Sequence, residues 1–141
     1  MAHSTARQPV PDGGKQLVRR TANGVLGAVV LLLVTQAAVD TAGVDVGATG
    51  AMSPFAAGPL VGATVVAGAG AAIVYALLVE YTDQPTRNFV VAALGVFTLM
   101  LVPIFAAPPE GITTTGQAIL IGYHLLVAVP LVAFVVGAIE L

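Results

Sequence analysis

The run FVVAALGVFTLMLVPIFAA, residues 89–107, carries no charged side chain and one hydroxyl, Thr98. Nineteen residues in a helix reach roughly 30 Å, the thickness of a bilayer's hydrocarbon core. In lipid the backbone must satisfy its own hydrogen bonds, so such a run is a helix. Three other runs read the same way, over about residues 21–39, 60–79 and 117–139. The sequence therefore predicts an all-α fold, a four-helix transmembrane bundle.

Composition agrees. The chain of 141 residues is 57% hydrophobic and 9% charged, with mean hydropathy +0.97. A soluble domain carries roughly 25% charged residues, and a chain this short could not hide so much apolar surface from water. The bilayer is the first partner that the sequence implies. A net charge of −2 gives no reason to expect nucleic acid. Without cysteine there is no disulfide, thiolate metal site or thiol redox chemistry.

Residues 1–20 are polar and broken by Pro9, Pro11, Gly13 and Gly14, which predicts a mobile basic tail ahead of a single four-span domain at residues 21–141. The first run has a basic flank and small residues at Ala37 and Ala38, as a cleaved leader would. Its length and the need of three later spans for a first partner favour a retained helix. Arg19-Arg20 lacks the sequence that should follow a twin-arginine signal.

Orientation follows from the basic residues. Arg7, Lys15, Arg19 and Arg20 precede the first run, and Arg87 lies between the second and third. The 40–59 and 108–116 connections hold only acids, Asp40, Asp45 and Glu110. Both termini are thus expected to be cytoplasmic. The dominance of Ala, Gly and Val, with four Arg to one Lys, suits a prokaryote, so the membrane is expected to be its plasma membrane. The segment 52–60 is apolar enough to lie on or dip into the outer leaflet.

The second run is rich in small residues. Gly58 and Gly62 form a GxxxG pair, and Ala63, Ala67 and Ala71 recur every fourth residue, whereas Gly68 and Gly70 fall on other faces. Small faces let helices approach closely in lipid. Gly58, Gly62, Ala67 and Ala71 are therefore candidate packing positions, within the chain or against a homo-oligomer or another membrane protein. Pro103 and Pro130 each remove a backbone donor and can kink their helices.

Polar side chains inside the spans are few: Thr35, Gln36, Thr64, Tyr75, Thr98, Tyr123 and His124. Gln36 and Asp40 share a helix face, as do Gln117 and His124. Counted from the expected ends, Gln36 lies roughly 5 Å deep and His124 roughly 10 Å. A titratable side chain at such depth needs a partner or a wet cavity. In one reading, His124 is a neutral tie to Gln36, a threonine or a carbonyl. In the other, His124, Gln36, Asp40, Thr98, Tyr123 and Gln117 line an outward-facing pocket.

The same inventory excludes several classes. No serine lies within a span, so a serine intramembrane protease has no nucleophile. No carboxylate lies mid-span for aspartyl chemistry or for the cation coupling of small multidrug exporters. A second intramembrane histidine for haem is missing, as are the ligands for zinc and a phosphate-binding loop. No cofactor, metal or catalytic residue is expected. The expected role is non-enzymatic: an accessory or interaction subunit, with a small-molecule transporter, channel or receptor as the alternative.

Four stretches carry a likeness. They are Gly43-Val44-Asp45-Val46 after the first run, Tyr75-Ala76-Leu77-Leu78-Val79-Glu80 at the end of the second, Arg87 before the third, and His124-Leu125-Leu126-Val127-Ala128-Val129-Pro130. Through these the chain, over roughly residues 24–139, resembles a family of small four-helix prokaryotic membrane proteins known only as a domain of unknown function. The resemblance implies the fold and topology and no activity.

Overall fold

A computed structural model describes residues 13–139. Among these, all regular structure is helical: α1 (Gly13–Thr41), α2 (Ala57–Tyr81), α3 (Pro85–Ala106) and α4 (Thr114–Val135). All four are long and apolar enough to cross a membrane. Successive helices run antiparallel, which brings the start of α1 and the end of α4 to one end of the bundle, here the terminal end. The connections 42–56 and 107–113 form the far end. α1 packs most extensively on α4 and α2, and α3 stands at the opposite corner with sparser contacts to α2 and α4.

All eight expected helix ends shift, by one to eight residues, and two of the shifts bear on the fold. α1 starts at Gly13, so residues 13–20 continue the helix beyond the apolar run rather than belong to a tail, and residues 1–12 lie outside the described residues. Lys15, Gln16 and Arg19 are good helix formers, and nothing in water prevents a spanning helix from continuing. α4 ends at Val135, four residues before the expected 139. Gly137 (φ +78°) stops it. Its N–H bonds the Phe134 carbonyl and the Ala138 N–H bonds the Ala133 carbonyl, the Schellman arrangement. A Cβ on Gly137 would also come within 2.7–2.8 Å of the Arg20 guanidinium.

The α1–α4 seam is built from small residues. Thr21, Gly24, Ala28 and Leu32 recur at spacings of three and four and are buried along one stripe. A Cβ on Gly24 would sit 3.0 Å from the Phe134 Cβ and 3.5 Å from the Leu131 Cα. α2 presents Leu60, Thr64 and Gly68, one face at i, i+4 and i+8. Gly68 meets Val25 and Thr21 of α1, with no room for a Cβ beside Val25. Small-residue packing within the chain therefore passes through Gly24 and Gly68. Nothing lies near a Cβ built on Gly58 or Gly62. This corrects the expected in-chain packing role of that GxxxG pair: the helix turns it outward. Ala67 and Ala71 do pack inward, against the cluster of Phe89, Leu131 and Val135.

The α2–α3 hairpin is as tight as its sequence indicates. Thr82 ends α2 with both its N–H and hydroxyl on the Leu78 carbonyl (2.9 and 2.7 Å), and Pro85 opens α3 where no donor is needed. α3 buries only two side chains, Phe89 (3% exposed) and Ile104 (4%), one near each end.

The far end is stitched. Thr113 caps α4 by accepting from the Gly116 N–H (2.9 Å) and donates its hydroxyl to the Asp45 carbonyl (2.7 Å). Its N–H reaches the Val46 carbonyl at 3.1 Å. Gly47 (φ +80°) lies against the Gly111 carbonyl, a contact that no side chain would allow. Ser53, buried, donates to the Ala48 carbonyl (2.8 Å) and turns Phe55 into the bundle. The 52–60 segment thus divides: Met52 is 88% exposed, while Phe55 and Leu60 join the core.

Candidate functional site

The polar residues of the spans separate onto two faces of α4. Tyr123, 4% exposed, donates its hydroxyl to Gln36 Oε1 at 2.7 Å. Gln36 Nε2 donates in turn to Asp40 Oδ1 at 2.8 Å. This chain of bonds runs up the α1–α4 seam towards the far end, and Phe55 sets its ring edge-on to Tyr123 (centroids 6.0 Å apart). Charge-assisted at Asp40 and shielded at Tyr123, it ties α1 to α4 where the seam's small residues end.

His124 is one residue further on, about 100° round the helix. It does not meet Gln36. Its Nδ1 lies 2.7 Å from the carbonyl of Leu120, one turn back. A carbonyl can only accept, so Nδ1 carries the proton. In the neutral ring Nε2 is then an acceptor, directed away from the helix. The observed α4 begins at Thr114, which places His124 ten residues, or about 15 Å, from the helix start. That is the middle of this 22-residue helix.

The remaining candidates scatter. Gln117 donates to the Ile104 carbonyl at 3.1 Å. The helical donor for that carbonyl would be residue 108, a proline, so Gln117 satisfies an oxygen that α3 cannot. Thr98 is exposed and turns its hydroxyl back to the Leu94 carbonyl (2.9 Å), away from the other polar groups. The polar pocket expected around Gln36 and His124 is therefore not assembled as one site.

In its place is an apolar groove between α2, α3 and α4, about 820 Å³ in volume, reaching from Phe89 to Ile104 along α3 and on to Pro109 in the following connection. Ala67, Gly70 and Ala71 form one wall and Ala93, Val96, Phe97 and Met100 another. His124, Val127 and Leu131 form its floor. The groove exists because the facing residues of α2 are small while α3 is held only at its ends. Only three lining residues are polar: Thr64, Tyr123 and His124. The Thr64 hydroxyl is satisfied by the Leu60 carbonyl and that of Tyr123 by Gln36. Among the described residues, nothing bonds His124 Nε2. A smaller cavity at the terminal end, about 690 Å³, is lined by Arg20, Tyr75, Glu80 and Asp83. Among the described residues no cluster of His, Cys, Asp or Glu could hold a metal ion.

Sequence reasoning marked His124, Gln36, Tyr123 and Gln117 by polarity, but not the groove. The only signal for it was the abundance of Ala and Gly in the second and third runs, which reads equally well as tight packing. Gly24, Gly68 and Phe55 also went unmarked.

The chain belongs to the family of unknown function DUF6069, which it matches over residues 13–140. Neither a curated protein nor a solved structure matches it.

Proposed function

We propose that this small multi-pass membrane protein is a non-enzymatic binding protein that takes an apolar molecule from the bilayer into the groove between α2, α3 and α4. The observation that carries this reading is the groove itself. Its 820 Å³ falls within the roughly 300–1,000 Å³ of ligand sites, and its walls are apolar with one convergent polar atom. Gly70 allows a direct test, because a Cβ there meets nothing within 4 Å. Gly70→Phe projects a ring into the groove and obstructs it. Gly95→Phe, on α3 outside the groove lining, is the control. The protein is extracted with its native lipid, and the small molecules bound to it are identified by mass spectrometry. Wild type and Gly95→Phe should retain a species enriched over bulk lipid, and Gly70→Phe should lose it. Bulk composition in all three samples would refute the proposal.

A second reading rests on Gly58 and Gly62, whose outward face is open to another helix, as an accessory subunit would need. Co-purification of a partner that Gly62→Ile abolishes would support it.

Orientation belongs to the same proposal. Lys15, Arg19, Arg20 and Arg87 all lie at the terminal end, which should be cytoplasmic in a prokaryotic plasma membrane. With no native cysteine, an impermeant maleimide on intact cells should label Thr114→Cys and spare Gln84→Cys. The reverse pattern would invert the topology.

A further inference from the structure

We infer that the guest of this groove is a long apolar alcohol or phenol, free of phosphate, whose hydroxyl donates to His124 Nε2 near the middle of α4. This rests on the groove being a binding site, and adds the chemistry of what it takes.

Three observations lead there. The first is the acceptor. With Nδ1 committed to the Leu120 carbonyl, Nε2 is the polar atom that the lining leaves without a protein partner among the described residues. An acceptor without a donor in hydrocarbon is costly, and water is scarce at that depth. A guest with a hydroxyl recovers the bond. A pure hydrocarbon does not, and a carbonyl or ether offers no proton.

The second is depth. Ten residues from the start of α4 and eleven from its end, His124 is near the middle of the helix and roughly 10 Å inside the apolar run. A phospholipid keeps its polar head at the interface and places only acyl chain here, so it cannot satisfy Nε2. The hydroxyl must belong to a molecule polar enough to donate once but apolar enough to reside within the core.

The third is length. From Phe89 to Ile104 the groove follows most of α3, on the order of 20 Å at 1.5 Å per residue, and it continues to Pro109 beyond the helix. Its walls are aliphatic and aromatic throughout, so a chain extends on both sides of the hydrogen bond. A compact ring system would occupy only part of it.

The probes are a polyprenol and its O-methyl ether, which share the chain and differ in the one proton. Full-length protein in phosphatidylcholine nanodiscs is titrated with each. Affinity is read from the isotope-labelled probe retained on the nanodiscs over empty nanodiscs, and the hydrogen bond from the ¹⁵N resonance of the His124 ring in a His3→Gln background, which removes the other histidine. The wild-type chain should bind the alcohol about three- to tenfold more tightly than the ether, the scale of one hydrogen bond, and Nε2 should shift only with the alcohol. His124→Leu should bind both equally, at the affinity of the ether. His124→Gln keeps an acceptor and should restore part of the preference. Gly70→Phe should bind neither. If wild type binds both probes equally and Gly70→Phe abolishes both, the groove stands and the hydroxyl inference falls. If Gly70→Phe binds as wild type does, the groove reading fails with it. Binding of neither probe to wild type, with a partner helix cross-linking to Phe97→Cys instead, would overturn the small-molecule guest.

Discussion

The α1–α4 seam and the α3 corner are made of similar residues and pack in opposite ways. Along the seam, Gly24 and Ala28 let α1 approach until the Phe134 and Leu131 side chains fill the space above them. At the corner, Ala67, Gly70, Ala71, Ala92 and Ala93 are equally small, yet the helices do not close, and a groove remains. The difference lies in what each glycine meets. Gly24 and Gly68 have large side chains standing over them, whereas Gly70 faces open space. Small residues allow close approach. Whether helices approach depends on whether the partner supplies a bulk that fits.

The comparison breaks most sharply at Gly24. Gly24→Ile adds branched bulk where even a Cβ would be 3.0 Å from Phe134, and should destabilise the bundle by about 3 kcal/mol, the upper range for overpacking. The same change at Gly62 should stay within about 0.5 kcal/mol, as for an unencumbered surface site. Unfolding in mixed micelles measures both. Equal costs would show that the seam is no tighter than the outward face of α2.

A middle-sized effect is expected at Thr113, which caps α4 and holds the 42–56 connection at once. Thr113→Val should cost about 1–2 kcal/mol. Amide exchange should quicken around Asp45 and Gly47 and stay unchanged at the α2–α3 turn. Uniform quickening would mean that the far end is not a separate clasp.

A smaller effect belongs to Tyr123→Phe, which removes the bond to Gln36 and leaves the ring beside Phe55. About 0.6 kcal/mol is expected for one interhelical bond. A double-mutant cycle with Gln36→Leu should show coupling of that size. Zero coupling would mean that the seam is held by packing alone.

The fold was plain in the sequence because spanning length and the absence of charge are one-dimensional properties. The faces were not. α2 and α4 are apolar all the way round, so no periodic signal says which side of either helix turns inward. Tyr123 and His124 illustrate this: adjacent polar residues read as one cluster, and a turn of 100° sends one to the seam and the other to the groove. Gly62 and Gly68 are equally small on paper, and only Val25 and Thr21 beside Gly68 distinguish them. The start of α1 was missed for a different reason. Hydropathy marks where lipid ends, while Lys15, Gln16 and Arg19 keep a helix going in water.

α3 has the mechanics of a beam clamped at two points. Phe89 holds one end and Ile104, braced by Gln117, holds the other. A beam so held bows at its middle, and Pro103 softens it beside one clamp by removing a rung of the helical ladder. Ala93, Val96, Phe97 and Met100 lie on the stretch between the two clamps. The capacity of the groove is therefore elastic: the bending stiffness of one helix, more than the resting gap, sets how bulky an occupant it accepts.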